Sequence, residues 1–118
     1  MLGKDVTMAR EMKESDWKLF RRLHPVALER FCKQVIEEIN QATSNCSGDY
    51  HKRYLKVFSL IMKRDEQMGR AFNDVRRSTA IILLTNIREA GLLTDDEFSQ
   101  FSAETRAGIE SILEVRRM

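Results

Sequence analysis

The side chains that could carry chemistry in this chain are few, and most of them are spaced badly for it. His24 and His51 are the only histidines. Neither belongs to an HExxH or Glu-x-x-His pair, the spacings that place two metal ligands on one helix face. Glu37 and Glu38 are adjacent and point in different directions on a helix. These spacings argue against a metal centre, and no metal or cofactor is expected. Cys32 and Cys46 are the only thiols, with no CxxC. Cys32 falls on an apolar stripe, where a thiol packs rather than reacts, and Cys46 lies in a polar loop open to oxidation. No GxSxG, glycine-rich phosphate loop or dinucleotide fingerprint occurs. No catalytic residue is assigned, and the chain is expected not to be an enzyme.

Three constellations remain. Asp65 interrupts the stripe of Tyr54, Phe58, Ile61, Met68 and Phe72. A carboxylate there is expected to be partly buried and to need a partner. Arg76 and Arg77 are the nearest candidates, with Arg21 and Arg22 as alternatives. Taken with Ser78, at an expected helix start that favours anions, Asp65, Arg76 and Arg77 form a candidate polar or anion site. The plainer reading of Asp65 is a structural ion pair that fixes helix register. The second constellation is basic: Lys18, Arg21 and Arg22, then Lys52, Arg53 and Lys56. On neighbouring helices these would form a phosphate-binding strip. The third is a candidate interface of Trp17, Phe20, Tyr50 and Tyr54, with six methionines to adapt it.

The elements that must position these groups are helical. One proline and five glycines leave few interruptions. A short helix is expected over 16–23, capped by Ser15, and Pro25 disfavours helical geometry at His24. Leu28, Phe31, Cys32, Val35, Ile36 and Ile39 recur at steps of three and four, which predicts a second helix over 25–43. A third is expected over 49–72. A fourth, over 75–90, is capped near Asn73-Asp74 and is apolar nearly all round at Ala80-Ile81-Ile82-Leu83-Leu84, the mark of a helix inside a bundle. Gly91 suits a left-handed residue after a helix end. Thr94 and Glu97 form a capping box that opens a short helix to about residue 101. Ser102 caps a last helix over 103–115.

The fold class is therefore all-α, a compact bundle of four main helices with one or two short ones. Residues 1–14 are expected to be a flexible tail and 15–118 a single domain. The helix–Gly91–helix outline resembles a helix-turn-helix. Its second helix opens Thr94-Asp95-Asp96-Glu97, however, and three carboxylates repel phosphates. The charge agrees: 20 Lys and Arg against 18 Asp and Glu leave +2, too little for a dedicated nucleic-acid binder.

The segments 15–20, 27–32, 72–80 and 91–98 together resemble small uncharacterised bacterial helical proteins. The resemblance implies a bacterial cytoplasmic protein and brings no activity with it. Two thiols without a disulfide framework, no signal peptide and no span-length apolar run also point to the cytoplasm, away from the membrane. The expected function is a non-enzymatic protein-interaction or regulatory module, with another protein or a second copy of itself as partner. The alternatives are a weak nucleic-acid-associated regulator using the Lys/Arg faces and a small-ligand or anion binder at Asp65, Arg76 and Arg77.

Overall fold

The computed structural model describes residues 11–44 and 49–118. They form five α-helices: α1 Glu14–Ser44, α2 Tyr50–Phe72, α3 Ala80–Glu89, α4 Asp95–Ser99 and α5 Ala103–Arg117. A 3-10 turn, Arg77–Thr79, precedes α3. No strand occurs among the described residues, and the fold is all-α.

The expected break at Pro25 does not occur; α1 runs straight through it. Proline removes one helical N–H and frees the carbonyl of Arg21. Pro25 and Arg21 are both exposed, so that carbonyl meets water. The buried positions Asp16, Phe20, Leu23, Ala27 and Phe31 keep a step of three or four across the proline, so ending the helix there would forfeit burial on both sides. Ser15 lies inside the first turn rather than capping it.

The start of the domain moves as well. Residues 1–10 of the expected tail lie outside the described residues. Met12, also assigned to that tail, is only 1% exposed within the core. Its carbonyl accepts a hydrogen bond from Arg77 Nε at 2.8 Å. The folded unit therefore begins before residue 15.

The all-apolar segment helix starts at Ala80, five residues later than its pattern suggests. Asp74 is no cap; it takes a left-handed conformation with φ 56°, which aspartate tolerates better than most residues. The Thr79 hydroxyl donates to the Asp74 carbonyl at 2.7 Å, closing the segment into a turn. The later signals hold. Gly91 has φ 73°, and the Thr94–Glu97 box forms with both reciprocal bonds, 2.8 and 3.0 Å. Ser102 caps α5.

A buried carboxylate fixes the long helix to the last one. Asp16, 3% exposed, accepts from the Ser102 N–H at 2.9 Å, the Ser102 hydroxyl at 2.6 Å and the Thr105 hydroxyl at 2.7 Å. Burial alone would push its pKa up. The Ser102 and Thr105 hydrogen bonds, helped by Lys13, outweigh burial and hold it below the usual value. A second clamp lies further along α1. Arg30 grips Glu97 with two bonds of 2.7 and 2.9 Å and donates to the Leu92 carbonyl at 2.9 Å. It thereby fixes the turn between α3 and α4. The Arg30 hydrogen bonds, assisted by the Thr94 amide, pull the Glu97 carboxyl down to about 2 despite some burial.

The core is gathered at one end of the molecule. It takes Met12, Phe20, Leu23, Ala27 and Phe31 from the first segment, Ala71 and Phe72 from α2, and the apolar faces of α3, α4 and α5. Among the described residues none between 32 and 70 is buried. The 31 residues of α1 span about 46 Å, well beyond that core. The molecule measures 64 × 25 × 25 Å with a radius of gyration of 17.6 Å, against roughly 13.5 Å for a compact chain of this length. It consists of a compact helical body and a projecting two-helix arm.

Replacing Asp16 by Ala strands two hydroxyls and an amide. Chemical denaturation should show a loss of about 3 kcal/mol, and an unchanged midpoint would refute the anchoring role.

Candidate interaction site on the helical arm

The arm is the outer part of α1, from residue 32, running antiparallel to α2 as far as residue 70. Asp49 starts its second helix by accepting from the Lys52 N–H at 2.9 Å. Val35, Ile39 and Ala42 on α1, with Val57 and Leu60 on α2, are half-buried and form the seam between the two helices. At the base, Arg64 braces the pair. It donates to both Glu38 oxygens at 2.9 Å and to Gln67 at 2.7 Å, and its guanidinium lies 5.0 Å from the centre of the Phe31 ring.

Two helices cannot bury the apolar face that α2 carries. A 23-residue helix with apolar residues over half its circumference turns only one part of that half toward α1. The rest stays in water: Tyr50, Tyr54, Leu55, Phe58, Ile61 and Met62 are between 45% and 83% exposed. Tyr54 stacks on Phe58 with ring centres 6.4 Å apart, and Arg53 lies over the Tyr50 ring at 5.2 Å. Across the seam on the same side, α1 adds Ile36. Between the helices runs an apolar groove of about 150 Å³ lined by Cys32, Val35 and Ile36 on α1 and by Ile61, Asp65 and Met68 on α2.

The structure disperses the other constellations. Asp65 is exposed, not buried, and sits at the mouth of that groove. Its helical position falls in the apolar stripe as read from the sequence, but the stripe there faces solvent instead of α1. Asp65 makes no ion pair with Arg76 or Arg77. Arg76 binds Asp74 at 2.8 and 2.9 Å, and Arg77 binds Glu14 at 2.8 Å and the Met12 carbonyl. Ser78 is exposed in the 3-10 turn. These four residues form no common site.

The candidate interface residues divide. Phe20 is core, 1% exposed, because it occupies the buried stripe of α1. Trp17 is half-buried, stacked on Phe20 at 5.9 Å with the Arg21 guanidinium 5.8 Å above its ring. Tyr50 and Tyr54 are exposed on the arm. The two basic groups are also apart. Lys56 lies beside Gln41 and Ala42, about 30 Å along α1 from Arg22 at 1.5 Å per residue, so no single strip forms. The helix after Gly91 is only five residues long, and Glu97 is engaged by Arg30. Cys46 lies outside the described residues, whereas Cys32 is half-buried.

Among the described residues no three His, Cys, Asp or Glu side chains are placed to hold a metal ion. No helix there is long and apolar enough to cross a membrane. A polar cleft of about 600 Å³ between arm and body presents Arg64, Arg70 and Arg116. Each is already matched, to Glu38, Glu66 and Glu89 respectively. Comparison with known proteins finds no family model, curated protein or solved structure that matches the chain.

Sequence reasoning passed over Asp16 and Arg64 and misplaced His24. Asp16 occupies the first position of the buried α1 stripe, and Arg64 keeps step with Val57 and Leu60, so helical spacing already placed both on inner faces. The sequence sets His24 at a break in the helix before Pro25. Instead it is wedged between Phe20 at 5.4 Å and Phe72 at 5.1 Å, where α2 meets the body. Its Nε2 has no hydrogen-bond partner among the described residues. Burial pushes its pKa below 6.5, against a smaller upward pull from the Ala71 carbonyl.

A histidine held neutral in the fold gains a proton more readily once unfolded. Its contribution is complete above pH 6.5 and is lost as pH falls through the window just below it. Asp16 and Glu97 act only at lower pH, since the ordinary carboxyl pKa values are 3.8 and 4.5. Thermal unfolding between pH 7.5 and 5.5 should show a falling midpoint for the native chain and a flatter profile for His24→Phe; parallel profiles would refute the assignment.

Proposed function

We propose that the protein is a non-enzymatic interaction module that works by docking a protein surface onto the outer face of its arm. One observation carries this reading. The arm has no buried residue among those described, yet it presents large apolar side chains in one continuous stripe. At ~150–250 Å² for a large side chain, the exposed parts of Ile36, Tyr54, Leu55, Phe58, Ile61 and Met62 leave roughly 600 Å² of apolar surface. The largest apolar patch on a typical monomer is about 300–600 Å² and is often functional.

The composition of the face supports the same reading. It combines aromatic residues and methionine, the types enriched where proteins meet. Apart from Asp65, the stripe is free of charge, and Lys52, Lys56 and Lys63 lie roughly 120–160° round the helix from Phe58. A small-ligand reading has less support, because the arginines lining the polar cleft beside the arm are already matched by carboxylates.

A photo-crosslinking amino acid placed at Phe58 should give a discrete adduct in the cell that makes the protein. The same group at Ser59, on the polar side, should give none. No adduct from position 58 would remove the interaction reading.

A further inference from the structure

Resting on that reading, we infer that the occupant of the arm is a second copy of this chain, its α2 packed antiparallel against the first about a two-fold axis at Phe58. The exposed face contains seven residues in heptad-like spacing: His51, Tyr54, Leu55, Phe58, Ile61, Met62 and Asp65. All seven are exposed. Steps of three and four sustained over two heptads are the signature of a helix–helix seam, and α1 does not occupy it.

The order of residue types identifies the partner. In an antiparallel pair about Phe58, each residue lies level with the one equally far on the other side of position 58. Phe58 then meets Phe58, Ile61 meets Leu55, Met62 meets Tyr54 and Asp65 meets His51. Apolar residues face apolar residues throughout the centre. The single carboxylate of the stripe faces its single histidine, once at each end. An isologous interface needs this kind of self-complementarity, whereas docking of an unrelated protein does not. The position of Asp65 thereby gains a role: a polar group at one seam position fixes register and orientation. A parallel pairing would bring Asp65 against Asp65.

Size and reach agree. A standard interface buries ~800 Å² per partner, of which about 60% is apolar. The roughly 600 Å² on the arm covers that share. In this register Tyr50 of each copy reaches only the level of Glu66 in the other, short of Ala71 where the buried body begins. The result is a four-helix arm carrying a body at each end, which resolves the burial that two helices leave incomplete.

The test is sedimentation of the purified full chain at about 0.1 mM, where a dimer of micromolar Kd is nearly complete. The native chain should sediment as a dimer. Phe58→Glu should weaken dimerisation about 100-fold with an unchanged circular dichroism spectrum. His51→Asp and Asp65→Lys should each weaken it about tenfold, and the double variant should recover to within about threefold of the native chain. A native monomer overturns the inference. So does a dimer indifferent to Phe58→Glu, and failure of the double variant to recover overturns the antiparallel register. These results separate from the interaction reading: a monomer that still crosslinks from position 58 to a protein of different mass leaves that reading standing and removes only the second copy.

Discussion

The structure depends on a single carboxylate held out of water. Asp16 sits in the first turn of the longest helix and accepts three hydrogen bonds from the start of the last one. A lone buried carboxylate is costly, and only a full set of donors offsets the cost. Those donors come from Ser102 and Thr105, 86 and 89 residues away in sequence. The bond set therefore cannot form until the chain has folded back on itself. Once formed, it fixes where α1 starts on the body. Because α1 is rigid, it also fixes where the arm points.

From that anchor the architecture follows by length. The buried stripe of α1 extends to Phe31, and Arg30 closes it by clamping the α3–α4 turn. Beyond that, α1 continues with α2 as its one neighbour among the described residues. A pair of helices has one seam, and α2 carries more apolar surface than one seam covers. The base is secured by Arg64, whose bonds to Glu38 and stacking on Phe31 tie the arm to the last buried residue of α1. The body is stabilised by packing and the arm mainly by its seam and ion pairs.

Much of this was legible in the sequence, and the exceptions have physical causes. The all-α class, Gly91, the Thr94–Glu97 box and the Ser102 cap rest on local chemistry, and local chemistry does not depend on what packs nearby. Pro25 failed as a breaker because tertiary burial on both sides of it outweighs one lost hydrogen bond. The Asp65 reading failed for a different reason. Periodicity shows that a residue lies on an apolar face, but not whether that face is covered. Phe20 and Tyr54 look alike in sequence, and only the reach of the body separates a core residue from an exposed one. The long-range pairs, Asp16 with Ser102 and Arg30 with Glu97, leave no short-range signal beyond their inward position.

The lack of buried residues among those described between 32 and 70 also shapes the dynamics of the molecule. Separating the tips of the two arm helices exposes no part of the body core, so the arm can unzip from its far end without global unfolding. Backbone amides should then exchange with solvent in a gradient, fastest at Tyr50 and slowest near Arg64, while the body exchanges as one block. A surface of that kind gains order from whatever covers it. The arm is the least stable part of the protein in isolation, and it is the part whose stability a partner can raise most.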